Sequence, residues 1–437
     1  MNSLLSAYAS GSDEEDDRQL EYGPRRPDFP PSKRQKPDYS DPNFRYIPPD
    51  RPVSATILPT EAPLPGRYVS KRERAALASA NVVSDPNPTT QIPLPSPVMG
   101  TLSVSGWPST ILSKLRQQTR RAARLGHLPE GLSVTLSGHT NSVNTVQWSR
   151  IHAHLLASAG MDQTVNIWNV WSSKQKRARV LNFHKAAVKD VKWSEQGLSV
   201  LSCGYDCSSR LIDVERGIET QIFREDQVVG VVKFHPNNFN LFLSGGSKGL
   251  LKLWDVRTGK VVHEYTRNLG PILDVEFSID GKQLVSSSDE SRSNLSENSI
   301  LVWDVSRQIP LSNQVYVEAY TCPCIRFHPV DPYFIAQSNG NYIAIFSSSY
   351  PFRLDKYKRY ESHGVFGFPI KCNFSLDGDL IASGSSDGFI YFYDSKSSRL
   401  VKKIKASGQP CVDVAFHPVM PGVIATSSWN GEVFVLA

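Results

Sequence analysis

Residues 138–169 read GHTNSVNTVQWSRIHAHLLASAGMDQTVNIWN, and this stretch decides the fold. It opens with Gly138-His139, passes through the apolar run Leu156-Ala-Ser158 to a turn at Asp162, and ends in an apolar strand at Ile167-Trp168. Short apolar runs bounded by turn residues are typical of β-strands. The stretch therefore predicts a small unit that is built from strands.

The last strand of this unit recurs along the chain, as an apolar run that ends just before a turn. Its seven occurrences follow one another at intervals of 41 to 49 residues and are Trp168-Asn169, Ile212-Asp213, Trp254-Asp255, Trp303-Asp304, Phe346-Ser347, Tyr393-Asp394 and Phe434-Val435. A sustained period of this size, with short β-rich strands and turns between, predicts a β-propeller of four-stranded blades. The sequence therefore predicts an all-β chain with seven blades.

The repeated unit resembles the WD40-repeat family over about 307 residues, from 131 to 437. The resemblance implies a hydrogen-bonded chain within a blade, formed by a His before the first strand, a Ser in the second, an Asp in the following turn and a Trp in the third. The matching residues are His139, Ser158, Asp162 and Trp168 in blade one, His184, Ser202 and Asp206 in blade two, and His363, Ser383, Asp387 and Tyr393 in blade six. A fully satisfied polar chain fixes blade geometry, so these histidines are interpreted as structural and not catalytic.

The two ends of the repeat region predict how the ring closes. Phe434-Val435 lies at the third strand of blade seven, which leaves that blade one strand short. Residues 131–136 alternate apolar and polar side chains, as a strand does, and have no other blade to join. We expect them to complete the last blade, which removes the exposed sheet edges that invite aggregation.

The segment before the propeller has a different composition. The first 100 residues hold 17 of the 30 prolines and little apolar periodicity, so residues 1–108 are expected to be a mostly disordered extension. Residues 109–126 predict one short basic amphipathic helix, with its basic side chains at Lys114, Arg116, Arg120, Arg121 and Arg124. Either this helix contacts RNA or an acidic partner, or it packs its apolar strip against the neighbouring domain.

Composition limits the class of protein. No stretch approaches the roughly 20 apolar residues of a membrane-spanning helix, and six cysteines in 437 residues do not make a disulfide framework. Residues 129–437 carry a formal charge of +2, which argues against broad binding of nucleic acid through phosphates. We find no phosphate-binding or zinc-protease motif and no matched pair of Cys motifs. A soluble, intracellular protein that is not an enzyme and has no cofactor, metal or membrane partner is expected.

Three side chains are candidates for partner binding on one rim of the propeller. Met161, Tyr205 and Trp429 each precede the turn residue between the second and third strands of a blade. Exposed aromatic side chains are typical anchors of protein interfaces. The alternative is that these side chains only pack within their loops.

A second group of candidates lies at the end of blade three. Leu253-Trp-Asp255-Val-Arg257 resembles the box with which WD40 substrate receptors contact the adaptor of cullin-four ubiquitin ligases. The resemblance implies that Asp255 and Arg257 would touch that adaptor. Lys248 stands where the full box has an acid, so the match is partial.

Four further runs resemble a group of WD40 proteins that includes a step-two splicing factor. They are residues 204–206, 242–247, 253–260 and 268–272. The resemblance implies a non-catalytic scaffold of the nucleus, linked to pre-mRNA splicing or another ribonucleoprotein assembly and acting as a monomer within a multi-subunit complex. The basic cluster at Ser32–Lys36 suits an import receptor. The cytoplasm is left open as a second location, and a cullin-four substrate receptor is the alternative function.

Overall fold

The chain folds into seven antiparallel sheets of four strands each. A computed structural model describes residues 95–103, 111, 128–267, 269–289, 300–312 and 320–437. Within these ranges 28 strands form the seven sheets, and the prediction of an all-β, seven-bladed propeller is confirmed. The predicted helix at 109–126, apart from Ile111, and residues 1–94 and 104–108 of the predicted extension lie outside the described residues.

The strands follow one another blade by blade. Blade one contains β2 (Val143–Trp148), β3 (Leu155–Gly160), β4 (Val165–Asn169) and β5 (Arg177–Leu181), and blade two contains β6 (Val188–Trp193), β7 (Ser199–Gly204), β8 (Ser208–Asp213) and β9 (Ile218–Arg224). Blade three contains β10 (Val229–Phe234), β11 (Leu241–Gly246), β12 (Leu251–Asp255) and β13 (Lys260–Tyr265), and blade four contains β14 (Ile272–Phe277), β15 (Gln283–Ser288), β16 (Ile300–Asp304) and β17 (Ile309–Pro310).

Three more blades complete the ring. Blade five contains β18 (Cys324–Phe327), β19 (Tyr333–Ser338), β20 (Tyr342–Ser347) and β21 (Leu354–Glu361), and blade six contains β22 (Cys372–Phe374), β23 (Leu380–Ser383), β24 (Phe389–Asp394) and β25 (Leu400–Lys405). Blade seven contains β26 (Cys411–Phe416), β27 (Ile424–Ser428) and β28 (Glu432–Leu436), together with β1 (Leu132–Ser137) from the start of the repeat region.

The strand β1 closes the ring, where the alternating sequence pattern predicts it. It pairs antiparallel with β28, with Leu136 opposite Val433 and Thr135 opposite Phe434. Leu136 is 1% exposed and packs in one apolar cluster with residues of blades one and seven, among them Val146. Closure therefore buries an apolar side chain at the joint as well as pairing the edge of β28.

The apolar core lies between the blades. Every residue of β3 and β4 is buried, because both faces of a blade are covered by its neighbours. Strands covered on both faces have continuous apolar runs, whereas the outer strand β13 is mostly exposed and keeps only Tyr265 buried. Because every blade is stacked in this way, one period of the sequence corresponds to one four-stranded blade.

Two faces of the propeller carry its loops. We call the upper face the side with the loops between second and third strands, where Met161, Tyr205 and Trp429 lie. The lower face carries the loops between first and second strands and between third and fourth strands, including Asp255 and Arg257. The first strands line the central channel that joins the two faces.

Residues 95–103, the strap, lie along β5 although they belong to the predicted disordered extension. Met99 and Gly100 both donate to the carbonyl of Ala178 at 3.1 Å. The side chain of Asn169 donates to the carbonyls of Thr101 and Ser103, each at 3.0 Å. Leu102 packs against the apolar cluster between blades one and two. These nine residues of the proline-rich segment therefore contact the propeller along blade one.

Candidate functional site

The polar chain of blade one joins the four residues that the sequence singles out. His139 Nδ1 lies 2.9 Å from a carboxylate oxygen of Asp162, and His139 Nε2 lies 2.7 Å from Ser158 Oγ. Trp168 Nε1 lies 2.8 Å from the same hydroxyl. All four side chains are buried or nearly so.

The donors in this chain follow from its chemistry. The indole of Trp168 can only donate, so Ser158 accepts from it and donates its own proton to Nε2 of His139. Nδ1 of His139 then donates to Asp162. Burial opposes ionisation of Asp162, but the hydrogen bonds from His139, Thr140 and Thr164 outweigh it and lower the pKa of the carboxyl. Each polar atom has a partner, which suits a structural role.

Blade two keeps part of the same chain. His184 lies 3.0 Å from Asp206 and 2.8 Å from Ser202, while Ile212 fills the tryptophan position. Arg210 donates to Asp206 at 3.1 Å and also pairs with Glu219. The guanidinium therefore gives the blade-two aspartate a cationic partner in addition to the imidazole.

Blade six departs from the predicted order of bonds. His363 Nδ1 lies 2.9 Å from the hydroxyl of Tyr393, whereas Asp387 accepts from Tyr391 at 2.8 Å and makes no hydrogen bond to His363. Ser383 donates to Gln337, whose amide lies 2.6 Å from His363 Nε2. The predicted hydrogen-bonded chain is therefore interrupted. The hydroxyl of Tyr393 bonds directly to His363, and the side-chain amide of Gln337 from blade five lies between Ser383 and His363.

Sequence reasoning missed Gln337 and also the polar chain of blade three. There Ser244 donates to Glu225 at 2.6 Å and accepts from Trp254 at 2.9 Å. Glu225 occupies the position just before the first strand that His139 holds in blade one, and this position is the signal that identifies it. Gln337 has no such signal, because it acts on a neighbouring blade.

Histidines in the lower loops join neighbouring blades. His417 Nδ1 accepts from the backbone N–H of Met420 at 2.8 Å, so the ring proton is on Nε2, which donates to the carbonyl of Ala153 in blade one at 2.7 Å. Burial lowers the pKa of His417 to about 3, although the hydrogen bond to Ala153 opposes the shift. His235 and His328 reach the carbonyls of Gly281 and Gly378 in the same way.

Charged side chains line the central channel. The cations are Lys189, Lys192, Lys233, Arg326 and Lys371, and the acids are Asp190, Asp274, Glu276 and Asp413. Arg326 pairs with Asp274 at 2.7 Å, and Lys371 lies 3.7 Å from Asp413. The acids also join blades, since Asp274 accepts from the backbone of Ile325 at 2.8 Å. The lower end of the channel opens into a cavity of about 480 Å³.

The upper-face candidates differ in exposure. Tyr205 is 47% exposed and Trp429 is 40% exposed, while Met161 is half-buried. The ring of Trp429 packs edge-on against Phe368 at 5.1 Å between centroids, and the ammonium of Lys189 lies 5.8 Å from the centre of the Tyr205 ring. The structure thus leaves a large part of each aromatic side chain accessible.

The lower-face candidates contact one another. Arg257 lies 3.0 Å from Asp255, and its side chain is 69% exposed. Lys248, at the position where the ligase box has an acid, lies on the opposite face and pairs with Asp226 at 2.9 Å.

Metal-binding groups and membrane-spanning helices are both absent from the described part of the chain. In these residues no group of three or more His, Cys, Asp or Glu side chains is placed to hold a metal ion. No helix there has the length and apolarity needed to cross a bilayer. The six cysteines are free thiols, of which Cys207 alone is partly exposed.

The repeats match a known family profile. The profile described as WD domain, G-beta repeat matches residues 131–169, 175–213, 259–304 and 356–394. The second of these segments includes the outer strand β5 of blade one and ends with the third strand β8 of blade two. The sequence repeat is therefore offset by one strand from the structural blade, which is the same offset that lets β1 close the ring.

Curated proteins with similar sequences share the propeller region. WD repeat-containing protein 25 of Mus musculus is 38% identical over 310 residues, covering 70% of this chain and 57% of that protein. Pre-mRNA-processing factor 17 of Homo sapiens is 30% identical over 309 residues, covering 70% and 52%. Its counterpart from Saccharomyces cerevisiae is 26% identical over 313 residues, covering 71% and 67%. The chain spans between about half and two thirds of these relatives, and by its repeats and its ring of seven blades it belongs to the WD40-repeat family.

Proposed function

We propose that the protein is a non-catalytic interaction scaffold that works in the nucleus, in an assembly linked to pre-mRNA splicing. The observation that carries the proposal is the similarity of the propeller to pre-mRNA-processing factor 17, which extends from the human protein to the yeast one. WD40 propellers mediate protein interactions through local side chains on their loops and not through the fold itself. The chain acts as a monomer within a multi-subunit complex in this proposal.

The partner surface in this proposal is the upper face. Tyr205 and Trp429 supply exposed aromatic area, and Met161 adds an adaptable apolar contact. Lys189 and Phe368 contact these rings and would restrict their motion before a partner arrives. Anchors that are held in place in this way lose little entropy on binding.

Co-purification tests the scaffold proposal directly. The full chain is tagged at its N-terminus, because β28 lies inside blade seven, and its partners are identified by mass spectrometry with and without RNase. We expect spliceosomal proteins that persist after RNase, and their loss in Trp429→Ala and Tyr205→Ala. Tyr357→Ala is the matched control, since this fully exposed tyrosine lies on the outer strand of blade five. A purely cytosolic distribution, or partners unrelated to splicing, would contradict the proposal.

Direct RNA contact is a separate part of the proposal. RNA would bind to the basic side chains of residues 109–126. We therefore expect Arg120→Glu/Arg121→Glu to reduce the amount of RNA that can be crosslinked to the chain. Crosslinking that is unchanged in this variant would assign the basic segment a packing role.

A cullin-four substrate receptor is the second candidate function. It is supported by Asp255 and Arg257, which lie together on the lower face with the guanidinium exposed. Recovery of the ligase adaptor in the same purification, lost on Arg257→Ala, would favour this function over the splicing scaffold.

A further inference from the structure

The strap places one serine in a closed space between blades one and two. Ser96 precedes Pro97, and this dipeptide is the only Ser-Pro or Thr-Pro pair in the sequence. The serine is 9% exposed, and its Oγ is buried without a hydrogen-bond partner in the described part of the chain. A buried hydroxyl that bonds to nothing gives up the hydrogen bonds that water would make with it. Stability alone does not explain a serine at this position.

Gly217 and Arg179 enclose Ser96. The backbone N–H of Ser96 donates to the carbonyl of Gly217 in blade two at 2.8 Å, and its carbonyl accepts from Arg179 of β5 at 3.0 Å. A Cβ added to Gly217 would lie 2.4 Å from Ser96 Oγ and 2.5 Å from Nη1 of Arg179. The space between Gly217 and Ser96 therefore does not admit a methyl group. A phosphoryl group, which brings three oxygen atoms, is larger still.

The charges beside Ser96 are already balanced. The guanidinium of Arg179 also donates to the carbonyl of Glu215. Burial lowers the pKa of Arg179, while the carboxylates of Asp213 and Glu215 favour its charged form and oppose that shift. Arg216 lies 3.8 Å from Asp213, so two cations face two carboxylates. A phosphate, with a charge of about −1.5 to −2 at pH 7, would add negative charge that these cations do not offset.

The strap can leave this position without the unfolding of a blade. Six of its nine residues are exposed, Gly100 and Leu102 are partly buried, and Ser96 alone is buried. Leu102 packs against the apolar cluster between blades one and two. A segment with few buried apolar contacts opens at a free energy below that of global unfolding. Ser96 is therefore accessible to an enzyme in the fraction of molecules in which the strap is open.

We propose that Ser96 is a phosphorylation site of a proline-directed kinase, and that its phosphate keeps the strap off the propeller. In the transfer, Ser96 Oγ bonds to the γ-phosphorus of ATP, and the bond from this phosphorus to the β,γ-bridging oxygen breaks, which releases ADP. The hydroxyl proton passes to the catalytic base of the kinase. The phosphoserine does not fit beside Gly217, so modification shifts the strap toward its open form. This inference does not depend on which assembly the propeller joins.

Kinase treatment followed by hydrogen exchange tests the site on the full chain. The chain is incubated with ATP and a purified proline-directed kinase, and the modified residue is identified by mass spectrometry. Exchange of the amides of Met99 and Gly100, which donate to Ala178 in the docked strap, is compared before and after modification. Ser96→Ala receives the same treatment. Val98→Asp is the matched charge control, because it adds a carboxylate to the same strap at a side chain that is 66% exposed.

We expect phosphate on Ser96, and exchange at Met99 and Gly100 that is about tenfold or more faster in the modified chain. Exchange should change less than about twofold in kinase-treated Ser96→Ala and in Val98→Asp, since neither adds a group beside Gly217.

Two outcomes would overturn the proposal. In the first, the kinase modifies a synthetic peptide of residues 90–103 but leaves Ser96 of the full chain unmodified, which would show that the strap does not open to an enzyme. In the second, exchange after modification is unchanged or slower. The docked strap would then accept the phosphate, for example through Nε of Arg179, which also lacks a partner in the described part of the chain.

Discussion

Ser158 and Ser202 occupy the same position in blades one and two but serve different numbers of partners. Ser158 bonds to both His139 and Trp168, whereas Ser202 bonds to His184 alone. Ser158→Ala leaves two buried polar groups without a partner and Ser202→Ala leaves one, and each such group costs about 1–3 kcal/mol. We expect Ser158→Ala to lower the free energy of unfolding by about 1 kcal/mol more than Ser202→Ala, measured by urea denaturation.

The same pair of variants tests whether the indole of Trp168 stabilises blade one through its hydrogen bond to Ser158. If both alanine variants are equally destabilised, the indole of Trp168 contributes nothing through its hydrogen bond. The blade-one chain would then be held by His139 and Asp162 only.

His417 makes the stability of the ring depend on pH. Its pKa is depressed from an ordinary 6.5 to about 3 by burial, so the unfolded chain takes up a proton near pH 6.5 that the folded chain refuses. The contribution of neutral His417 is therefore complete above pH 6.5 and declines as the pH falls toward 3. At 1.36 kcal/mol per pH unit, we expect a loss of roughly 3 kcal/mol by pH 4.5.

A non-titrating replacement isolates this effect. An amide in His417→Gln accepts from the loop and donates to Ala153 without taking up a proton. Denaturation at pH 7.0, 5.5 and 4.5 should show a shallower decline for His417→Gln than for the natural chain. Parallel declines would assign the acid sensitivity to other groups, such as His363, whose pKa burial lowers to about 4.

At the scale of single elements, the strap is the part of the fold that composition does not predict. Gly100 lies against β5, where an added Cβ would come within 2.9 Å of the carbonyl of Gln175 and 3.0 Å of the carbonyl of Arg177. Both atoms are backbone and cannot move aside. We expect Gly100→Val to displace the strap and to increase chymotrypsin cleavage after Met99 or Leu102, read by mass spectrometry. Equal protection in the variant would show that Leu102 and Asn169 hold the strap without the contact at Gly100.

The sequence predicts the strands far better than it predicts the contacts between elements. Repeating aromatic positions such as Trp168 and Trp303 report the period of the blades, because six of the seven blades bury an aromatic side chain at the same place and blade two buries Ile212 there. The local chain around His139 is predictable for the same reason. Gln337 is not, because its partners lie on the next blade. The strap is not either, because its backbone bonds to Ala178 leave no pattern in the sequence.

For the whole molecule, the pairing of β1 with β28 holds the two ends of the ring together. Deletion of Leu132–Ser137 would leave the outer edge of β28 unpaired, although its other edge still pairs with β27, and would expose the apolar surface that Leu136 covers. An unpaired edge is a template for pairing with other chains. We expect this variant to form dimers or larger species in light scattering, and to return toward the monomer when a synthetic peptide of residues 128–140 is added. A variant that stays monomeric without the peptide would show that the ring closes through three-stranded packing of blade seven.

The pairing of β1 with β28 also determines when the ring can close during translation. β1 is synthesised about 300 residues before β28, and at typical elongation rates of about 5–20 residues per second that interval lasts roughly 15 to 60 s. During this interval the nascent chain contains β1, whose partner strand β28 has not yet been synthesised, and a growing set of blades that is not yet closed into a ring. Because the two ends of the ring can meet only after β28 has been made, its biosynthesis is expected to be sensitive to the pace of translation and to the supply of chaperones that cover the open ring.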